Sequence, residues 1–490
     1  MNTPIRRVAY VVMALLLVLV AQLTYLQVIH ADALSNDPRN VRNAINDYAR
    51  PRGAILTVDG QVVAQSAKSN DDLGYQRSYP LGALFGQISG YQSFVYGNTG
   101  LEAEYNSVLI GRGPPPRITG AADLGNFLIG RSDPSNLVIS VSQRAQTLAR
   151  DALGDQRGSV VVLDPTDGAI IAMYSNPSFD PNPLVAHNAK QVQSAYALFS
   201  LAPDKPLLPR AYAEIYAPGS TFKIVTTTAG LETGTVQADS QFPVIRNYTP
   251  PQTNRAISNF GGANCGGTVF ESFVRSCNTT FAAMGVALGE QFPPAMAKFG
   301  IGQRPPLDTM NPAPARSTGP LPGTFENDKP VFALAGIGQG DVAATPLQMA
   351  LVAAAIARGG VVPTPHLGQE IQDSKGNVLK KIEPGAWLTA TTPEVAAQVR
   401  DMMIAVVARG TGKNAQIPGV AVAGKTGTAQ VDGNSAPHAW FVGFAPAESP
   451  RYAIAVLVEN GGSRGDEATG GQVAAPIARE VLSQLLATSG

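Results

Sequence analysis

The sequence has few residues that bind metals and few charges of either sign. Its 490 residues include two cysteines and four scattered histidines, whose spacing matches no zinc site. Basic and acidic residues number 36 each, so the net charge is zero, and no basic run marks a nucleic-acid surface. The scarcity of histidine also disfavours a Ser-His-Asp triad. We therefore expect no metal, no other cofactor and no nucleic-acid partner.

One stretch near the N-terminus, Val8–Val28, contains no charged residue and follows Arg6 and Arg7. About 20 mainly apolar residues span a bilayer as a helix, and basic residues before a span remain in the cytoplasm. We predict a cytoplasmic segment at 1–7, a signal-anchor at 8–28 and an extracytoplasmic remainder. The alternative is a signal peptide cleaved near Ala31–Ala33. That site lies well beyond the apolar core, which favours the uncleaved anchor in the cell membrane.

Residues 29–136 are polar and rich in loops, and they carry no visible chemistry. The runs Arg52–Leu56 and Gln61–Ala64 flank Asp59-Gly60, a pattern typical of a β-hairpin. A loop rich in glycine and proline covers Gly111–Arg117. We interpret 29–136 as a non-catalytic domain that acts as a pedestal or in dimerisation.

Residues 137–490 show regular strand and helix patterns. Predicted strands are Leu137–Val141, Gly158–Leu163, Ala169–Tyr174, Val420–Gln430, Trp440–Phe444 and Tyr452–Val458. Predicted helices include Gln143–Leu153, Val269–Arg275, Thr279–Leu288, Pro346–Ala357 and Gln472–Leu486. Strands at both ends of a helical middle favour an α/β fold of the α+β type, with one antiparallel sheet flanked by helices.

The stretch Ala217–Lys223 carries the first candidate for catalysis. A helix that begins near Ser220 places Ser220 and Lys223 one turn apart on the same face. A serine hydroxyl becomes a strong nucleophile when a neighbouring base, here the lysine amine, takes its proton. The alternative is structural, because serine is also a common helix N-cap.

Two later elements strengthen the catalytic interpretation. Ser276 and Asn278 form a Ser-x-Asn element, and Lys425–Thr428 reads Lys-Thr-Gly-Thr. Ser-x-x-Lys, Ser-x-Asn and Lys-Thr-Gly in this order form the motif set of penicillin-binding proteins and serine β-lactamases. Structural alternatives remain for each element: Ser276 as a helix cap, Asn278 as a turn former and Lys425 as a solvated strand residue.

Two other motif matches are less consistent with their surroundings. Gly419–Thr426 fits the Walker A pattern, but its central residues resemble a strand and no helix follows. Gly461–Gly465 fits the nucleophile elbow of α/β-hydrolases, yet no histidine follows His438. We interpret neither as a functional site.

The chain resembles class B, monofunctional penicillin-binding proteins, most closely the short penicillin-binding protein A type of actinobacteria. The resemblance covers nearly the whole chain and rests on the anchor, the three motifs and several further stretches: Arg52-Gly53, Gly100–Glu102, Gly158–Asn182, Gly336–Gly340 and His438–Phe441. It implies the penicillin-binding transpeptidase fold over 137–490. It also implies a D,D-transpeptidase that cross-links peptidoglycan stem peptides and is acylated by β-lactams. Residues 29–136 are too few for a glycosyltransferase domain. The resemblance also implies a membrane glycosyltransferase as a partner.

The resemblance also implies a role for each motif residue. Ser220 attacks the carbonyl between the last two D-alanines of a donor stem, and neutral Lys223 acts as the base. Ser276 passes a proton to the leaving group, and Asn278 holds the substrate backbone. The Lys-Thr-Gly-Thr element binds the terminal carboxylate, and the oxyanion hole is built from backbone N–H groups of Ser220 and Thr428. The residues concerned in this element are Lys425, Thr426, Gly427 and Thr428. An acceptor amine then resolves the acyl-enzyme.

Three other functions compete with transpeptidation. A serine β-lactamase shares the motifs but needs a second base, and no convincing Glu-x-x-Leu-Asn element is present. A β-lactam sensor usually carries a cytoplasmic effector, for which the predicted segment 1–7 leaves no room. A catalytically silent scaffold is separated from an enzyme only by assay.

The two cysteines, Cys265 and Cys277, lie outside the cytoplasm if the anchor is correct, and oxidation is favoured there. We expect a disulfide between them, which would fix the Ser276–Asn278 loop to the preceding glycine-rich segment. Two buried free thiols are the alternative, because cysteine also packs as a small apolar residue.

Overall fold

The computed structural model describes residues 3–30, 48–71, 73–111, 133–431 and 435–487. The chain begins with a helix, Thr3–Thr24, which continues as a wider turn over Tyr25–Ile29. The segment Thr3–Gln27 is long and apolar enough to cross a membrane, and none of it is buried against the rest of the protein. The alternative cleavage site at 31–33 and residues 112–117 of the loop lie outside the described residues.

A six-stranded sheet organises the N-terminal part. Its order is Val378–Lys381, Gly368–Gln372, Asn136–Ile139, Ile55–Thr57, Val62–Lys68 and Tyr75–Ser78. Asn136–Ile139 pairs in parallel with Ile55–Thr57, and the other pairs are antiparallel. The predicted hairpin at Asp59-Gly60 is confirmed. Short helices and a small hairpin complete this part: Gly86–Ser89, Gly100–Glu104, Asn106–Leu109, and Gln92–Ser93 with Gly97–Asn98.

A five-stranded antiparallel sheet, called the main sheet below, organises the C-terminal part. Its order is Ala423–Ala429, His438–Ala445, Tyr452–Val458, Gly158–Leu163 and Ile170–Asn176. The early strands Gly158–Leu163 and Ile170–Asn176 therefore form one sheet with the three late strands, as the pattern predicts, whereas the predicted strand that begins at Leu137 belongs to the six-stranded sheet. The strand with Lys425 begins at Ala423 and not at Val420, and it lies at the edge of the sheet.

Helices cover both faces of the main sheet. Alternate side chains of a strand point to opposite faces, and here both sets are apolar, so each face needs a helical layer to bury it. Val160 and Val162 belong to a cluster with Gln143–Leu153 and Ala474–Ala487, whereas Val161 and Leu163 pack in a larger cluster with the almost wholly buried Pro346–Ala357. The remaining elements surround this core: Ala189–Leu201, Arg210–Ala213, Lys223–Glu232, Val269–Arg275, Asn278–Leu288, Phe292–Ala297, Lys329–Ala335, Pro393–Arg409 and the pair Val361–Pro363 with Ala386–Thr389.

Residues 241–268 form an excursion from the C-terminal part that we call the arm. Its outer strands, Gln241–Ile245 and Cys265–Thr268, pair with each other, and Asn247–Tyr248 pairs with Ile257–Ser258. A disulfide joins Cys265 to Cys277, which lies in the turn before the helix Asn278–Leu288. The disulfide therefore connects the base of the arm directly to the Ser-x-Asn element.

A buried ion network holds the N-terminal part together. Glu102 is fully buried and accepts hydrogen bonds from Arg52 Nε at 2.5 Å and Arg77 Nε at 2.7 Å. Tyr79 donates a further hydrogen bond to the same carboxylate at 3.1 Å. Burial alone would raise the pKa of Glu102, but Arg77 and Arg52 hold it below its ordinary value. Two arginines therefore depend on one carboxylate for their neutralisation.

We predict that Glu102→Gln lowers the local free energy of unfolding by about 3–5 kcal/mol, because it leaves two buried guanidinium groups without a counter-charge. Hydrogen-exchange mass spectrometry on peptides from 55–109 measures this quantity in the full chain. Glu104→Gln, on the same helix but exposed, is the matched control and should change protection little. Equal protection in the two variants would contradict the role of the network.

We also predict that replacing both Cys265 and Cys277 with alanine lowers stability by about 3 kcal/mol, since a disulfide that closes a loop of this size restricts the unfolded chain by roughly that amount. Chemical denaturation with and without a reducing agent is the measurement. Reductant should destabilise the wild type and leave the double variant unchanged. The same response to reductant in both proteins would refute the contribution of the bond.

Candidate active site

The turn before Ser220 is shaped by close backbone contacts that require glycine. Gly219 has φ +53°, and a Cβ atom there would lie 2.7 Å from the carbonyl oxygen of Thr428. Its N–H donates to Gly338 O at 2.9 Å. Gly219–Phe222 forms a 3₁₀ turn that leads into the α-helix Lys223–Glu232. Ser220 is thus held between the end of the Lys-Thr-Gly strand and the segment of Gly338.

Lys223 is fully buried, and its amine contacts the Ser-x-Asn element. Nζ lies 2.8 Å from Ser276 O, 2.8 Å from Asn278 Oδ1 and 3.2 Å from Ser276 Oγ. Ser220 and Lys223 follow each other by one turn, as the sequence predicts. In the described part of the chain, however, the amine is hydrogen-bonded to these three oxygens and not to the Ser220 hydroxyl.

Ser276 occupies a left-handed backbone position (φ +61°) that ends the helix Val269–Arg275. Its N–H donates to Phe273 O at 3.1 Å, and the next helix begins at Asn278. The Asn278 side-chain amide donates to Ser258 O of the arm at 2.9 Å. This sharp turn between two helices positions the Ser276 hydroxyl and the Asn278 side chain on either side of the Lys223 amine.

Lys425 approaches the same hydroxyl from the edge of the main sheet. Its fully buried Nζ donates to Ser276 Oγ at 2.9 Å and to Thr426 O at 3.1 Å. The strand can pass close to the nucleophile turn because residue 427 is glycine; a Cβ there would lie 2.7 Å from Pro218 O. The Ser276 hydroxyl is therefore shared by two lysines that are distant in sequence.

The electrostatics of the two lysines differ from those of ordinary surface lysines. Burial, and then the proximity of Lys425, place the pKa of Lys223 well below its usual value. Burial lowers the pKa of Lys425 to about 7. Neither amine forms an ion pair with a carboxylate of the described residues. A site with buried amines and no counter-ion favours a neutral Lys223 and attracts an anionic ligand.

A groove of about 800 Å³ runs past these groups. It is lined by Ser220, Ser276, Asn278, Thr426 and Thr428, and residues 256–261 of the arm form one wall. The predicted motif residues thus line one groove or, like the buried Lys223 and Lys425, lie directly beneath it. Gly427 belongs to the strand that forms one side of the groove.

Several groove residues have no sequence motif. Thr411 shares a hydrogen bond of 2.6 Å with Thr426 of the strand Ala423–Ala429. The segment Thr469–Gly471 also lines the groove, beside that strand. Phe260, at the rim, is 73% exposed. The sequence signals the segment Thr469–Gly471 only through the Gly470-Gly471 pair. Glycine is required at position 470 because a Cβ there would lie 2.2 Å from Trp440 O.

Comparison with known families gives two matches. The penicillin binding protein transpeptidase domain matches residues 158–483, and the penicillin binding protein A dimerisation domain matches residues 52–127. The first match includes the main sheet and the groove, and the strand Asn136–Ile139 of the six-stranded sheet lies between the two matches.

Similar full-length proteins include the peptidoglycan D,D-transpeptidase PbpA of Mycolicibacterium smegmatis, with 39% identity, and that of Mycobacterium tuberculosis, with 38% identity; each alignment covers 99% of both chains. A solved structure of penicillin-binding protein A from M. tuberculosis, a ceftriaxone acyl-enzyme complex, superposes with a TM-score of 0.81 at 34% identity. It covers 89% of this chain and 99% of that one.

The shared hydroxyl between two buried lysines, the family matches and the full-length similarity all agree. The chain therefore belongs to the family of class B penicillin-binding proteins, with a transpeptidase domain preceded by a penicillin-binding protein A dimerisation domain.

Proposed function

We propose that this protein is a serine D,D-transpeptidase that cross-links peptidoglycan stem peptides and that β-lactams acylate. The observation that carries the proposal is the contact of Lys223 and Lys425 with one hydroxyl, that of Ser276, beside Ser220. Further support comes from the full-length relatives, which are named peptidoglycan D,D-transpeptidases.

In the first half-reaction, the neutral Lys223 amine takes the proton of Ser220, and Oγ attacks the carbonyl carbon between the last two D-alanines of the donor. The Oγ–C bond forms and the C–N bond of the donor breaks. The proton passes from Lys223 through the Ser276 hydroxyl to the departing amine. The hydrogen bond between Lys223 Nζ and Ser276 Oγ, 3.2 Å long, supplies the first step of this transfer.

Binding of the donor uses the other motif residues. Protonated Lys425, with Thr426 and Thr428, binds the terminal carboxylate, and the Asn278 amide holds the substrate backbone. The backbone N–H groups of Ser220 and Thr428 stabilise the oxyanion, a contribution often worth about 3–4 kcal/mol per donor.

In the second half-reaction, an acceptor amine attacks the ester carbon. The N–C bond forms, the Oγ–C bond breaks, and the amine proton returns to Ser220 Oγ. A β-lactam follows the first half-reaction and remains attached, because its leaving amine stays tethered within the acyl group.

The cellular setting is part of the same proposal. We propose that residues 8–28 are a single-pass anchor, with residues 1–7 in the cytoplasm and residues 29–136 and 137–490 as the outer domains. Arg6 and Arg7, which precede the uncharged stretch, support this orientation. A membrane glycosyltransferase that supplies glycan strands is the proposed partner, since family membership implies it.

We predict that a fluorescent penicillin labels the wild type on the peptide that contains Ser220 and does not label Ser220→Ala. Ser258→Ala is the matched control: Ser258 also lines the groove, but its hydroxyl donates to Asn247 Oδ1 at 2.9 Å. Peptide mapping by mass spectrometry locates the adduct. Labelling retained in Ser220→Ala would refute the assignment of the nucleophile.

We further predict that the second-order rate constant of acylation falls as the pH rises through about 7. Lys425, whose pKa is lowered to about 7, is charged below that pH and loses the charge that binds the carboxylate above it. Lys425→Arg should remove this decrease, because arginine stays protonated, whereas Lys425→Ala should be slow at every pH. An unchanged decrease in Lys425→Arg would contradict the role of Lys425.

A further inference from the structure

A second cavity, of about 620 Å³, lies beside the groove. Its walls include Tyr216 and Ala217, the residues that lead into the nucleophile turn. Gln339 and Gln430 line both the groove and this second cavity. The two spaces are therefore neighbours, and Gln339 and Gln430 form the partition between them.

The partition lies directly beside the nucleophile. Gln339 follows Gly338, whose carbonyl accepts the Gly219 N–H at 2.9 Å. Gln430 comes directly after the end of the Ala423–Ala429 strand. Gln339 Nε2 is buried and has no hydrogen-bond partner among the described residues. An unsatisfied buried donor at this position suits a ligand that passes between the two spaces.

The deep wall of the second cavity is electrostatically complete. Glu459 accepts hydrogen bonds from Arg210 Nε at 2.7 Å and from Tyr216 Oη at 2.7 Å, and it also forms an ion pair with Arg157. These groups satisfy one another and leave little affinity for a further charged ligand.

Two lining residues of opposite charge are different. Glu214 and Lys205 both line the second cavity. In the described parts of the chain, neither side chain forms a hydrogen bond or an ion pair. The cavity thus offers one free anion and one free cation, which together are complementary to a ligand that carries both an ammonium and a carboxylate group.

We propose that the second cavity is the acceptor subsite, in which Glu214 binds the ammonium end of an acceptor stem and Lys205 binds a carboxylate next to it. This assignment rests on the proposed function. The donor fills the groove from the Lys-Thr-Gly-Thr element to Ser220, so the acceptor must reach the ester from another direction. The partition of Gln339 and Gln430 marks such an approach.

The chemistry in this subsite follows the second half-reaction. The acceptor nitrogen binds as an ammonium, releases one proton to solvent, and as the neutral amine attacks the ester carbon of acylated Ser220, gaining positive charge again as the N–C bond forms. Glu214 favours that charge until the proton moves to Ser220 Oγ and the Oγ–C bond breaks. The hydrolysis of the same ester by water does not need Glu214.

The test uses the full-length protein in detergent with an acyl-D-alanyl thioester as donor. The acceptors are a D-diamino acid and a matched diamine that lacks the carboxylate. The ratio of aminolysis to hydrolysis is measured against acceptor concentration for the wild type, Glu214→Gln and Lys205→Gln. Glu448→Gln is the control, because Glu448 is exposed and lies in the loop that follows Ala445, at the end of the His438–Ala445 strand away from the second cavity. Thermal melting confirms that each variant is folded.

We expect Glu214→Gln to raise the half-saturating concentration of both acceptors about tenfold, which is the loss of roughly one charge-assisted contact. Lys205→Gln should weaken only the diamino acid, and penicillin acylation should stay within about twofold of the wild type in both variants. Equal acceptor dependence in Glu214→Gln and wild type would overturn the subsite, as would an effect confined to the donor. A wild type that forms no acyl-enzyme, or whose acyl-enzyme is never intercepted by an amine, would instead refute the proposed function.

Discussion

Two buried amines, those of Lys223 and Lys425, contact one hydroxyl, and no carboxylate of the described residues neutralises them. Two positive charges that both contact the same hydroxyl in a buried site repel strongly. The arrangement is therefore stable only if at least one amine is neutral. The same constraint gives Lys223 the properties of a base and leaves Lys425 available for an anion. Both lysines are buried, and the two amines differ because the pKa of Lys223 is lowered by burial and also by Lys425, whereas that of Lys425 is lowered by burial alone.

The rest of the C-terminal part can be understood as the means of bringing these groups together. Lys223 lies on a helix, Ser276 in a left-handed turn between two helices, and Lys425 on an edge strand. Gly219 and Gly427 allow the nucleophile turn and the strand to approach more closely than any side chain would permit. The arm and its disulfide then fix the turn of Ser276 from outside.

The sequence predicts much of this arrangement because its signals are local. Strand and helix patterns identify the main sheet, and the motifs identify the residues of the groove. The six-stranded sheet is different: Gly368–Gln372 pairs with Asn136–Ile139, more than two hundred positions earlier, and no local pattern records such a partner. The hydrogen bond between Thr411 and Thr426, and the direction of the Lys223 amine toward Asn278, likewise depend on tertiary packing. The boundary between the two domains at residue 136 remains a prediction. The strand Asn136–Ile139, which crosses that boundary, belongs to the N-terminal sheet.

Direct titration of the two amines tests the central claim. NMR of lysine side chains labelled with ¹³C at Cε, assigned with Lys223→Ala and Lys425→Ala, follows the protonation of each amine in the unliganded protein. The account predicts that Lys425 titrates near pH 7 and that the pKa of Lys223 lies well below its ordinary value. Titration of both amines near their ordinary value of 10.5 would contradict it.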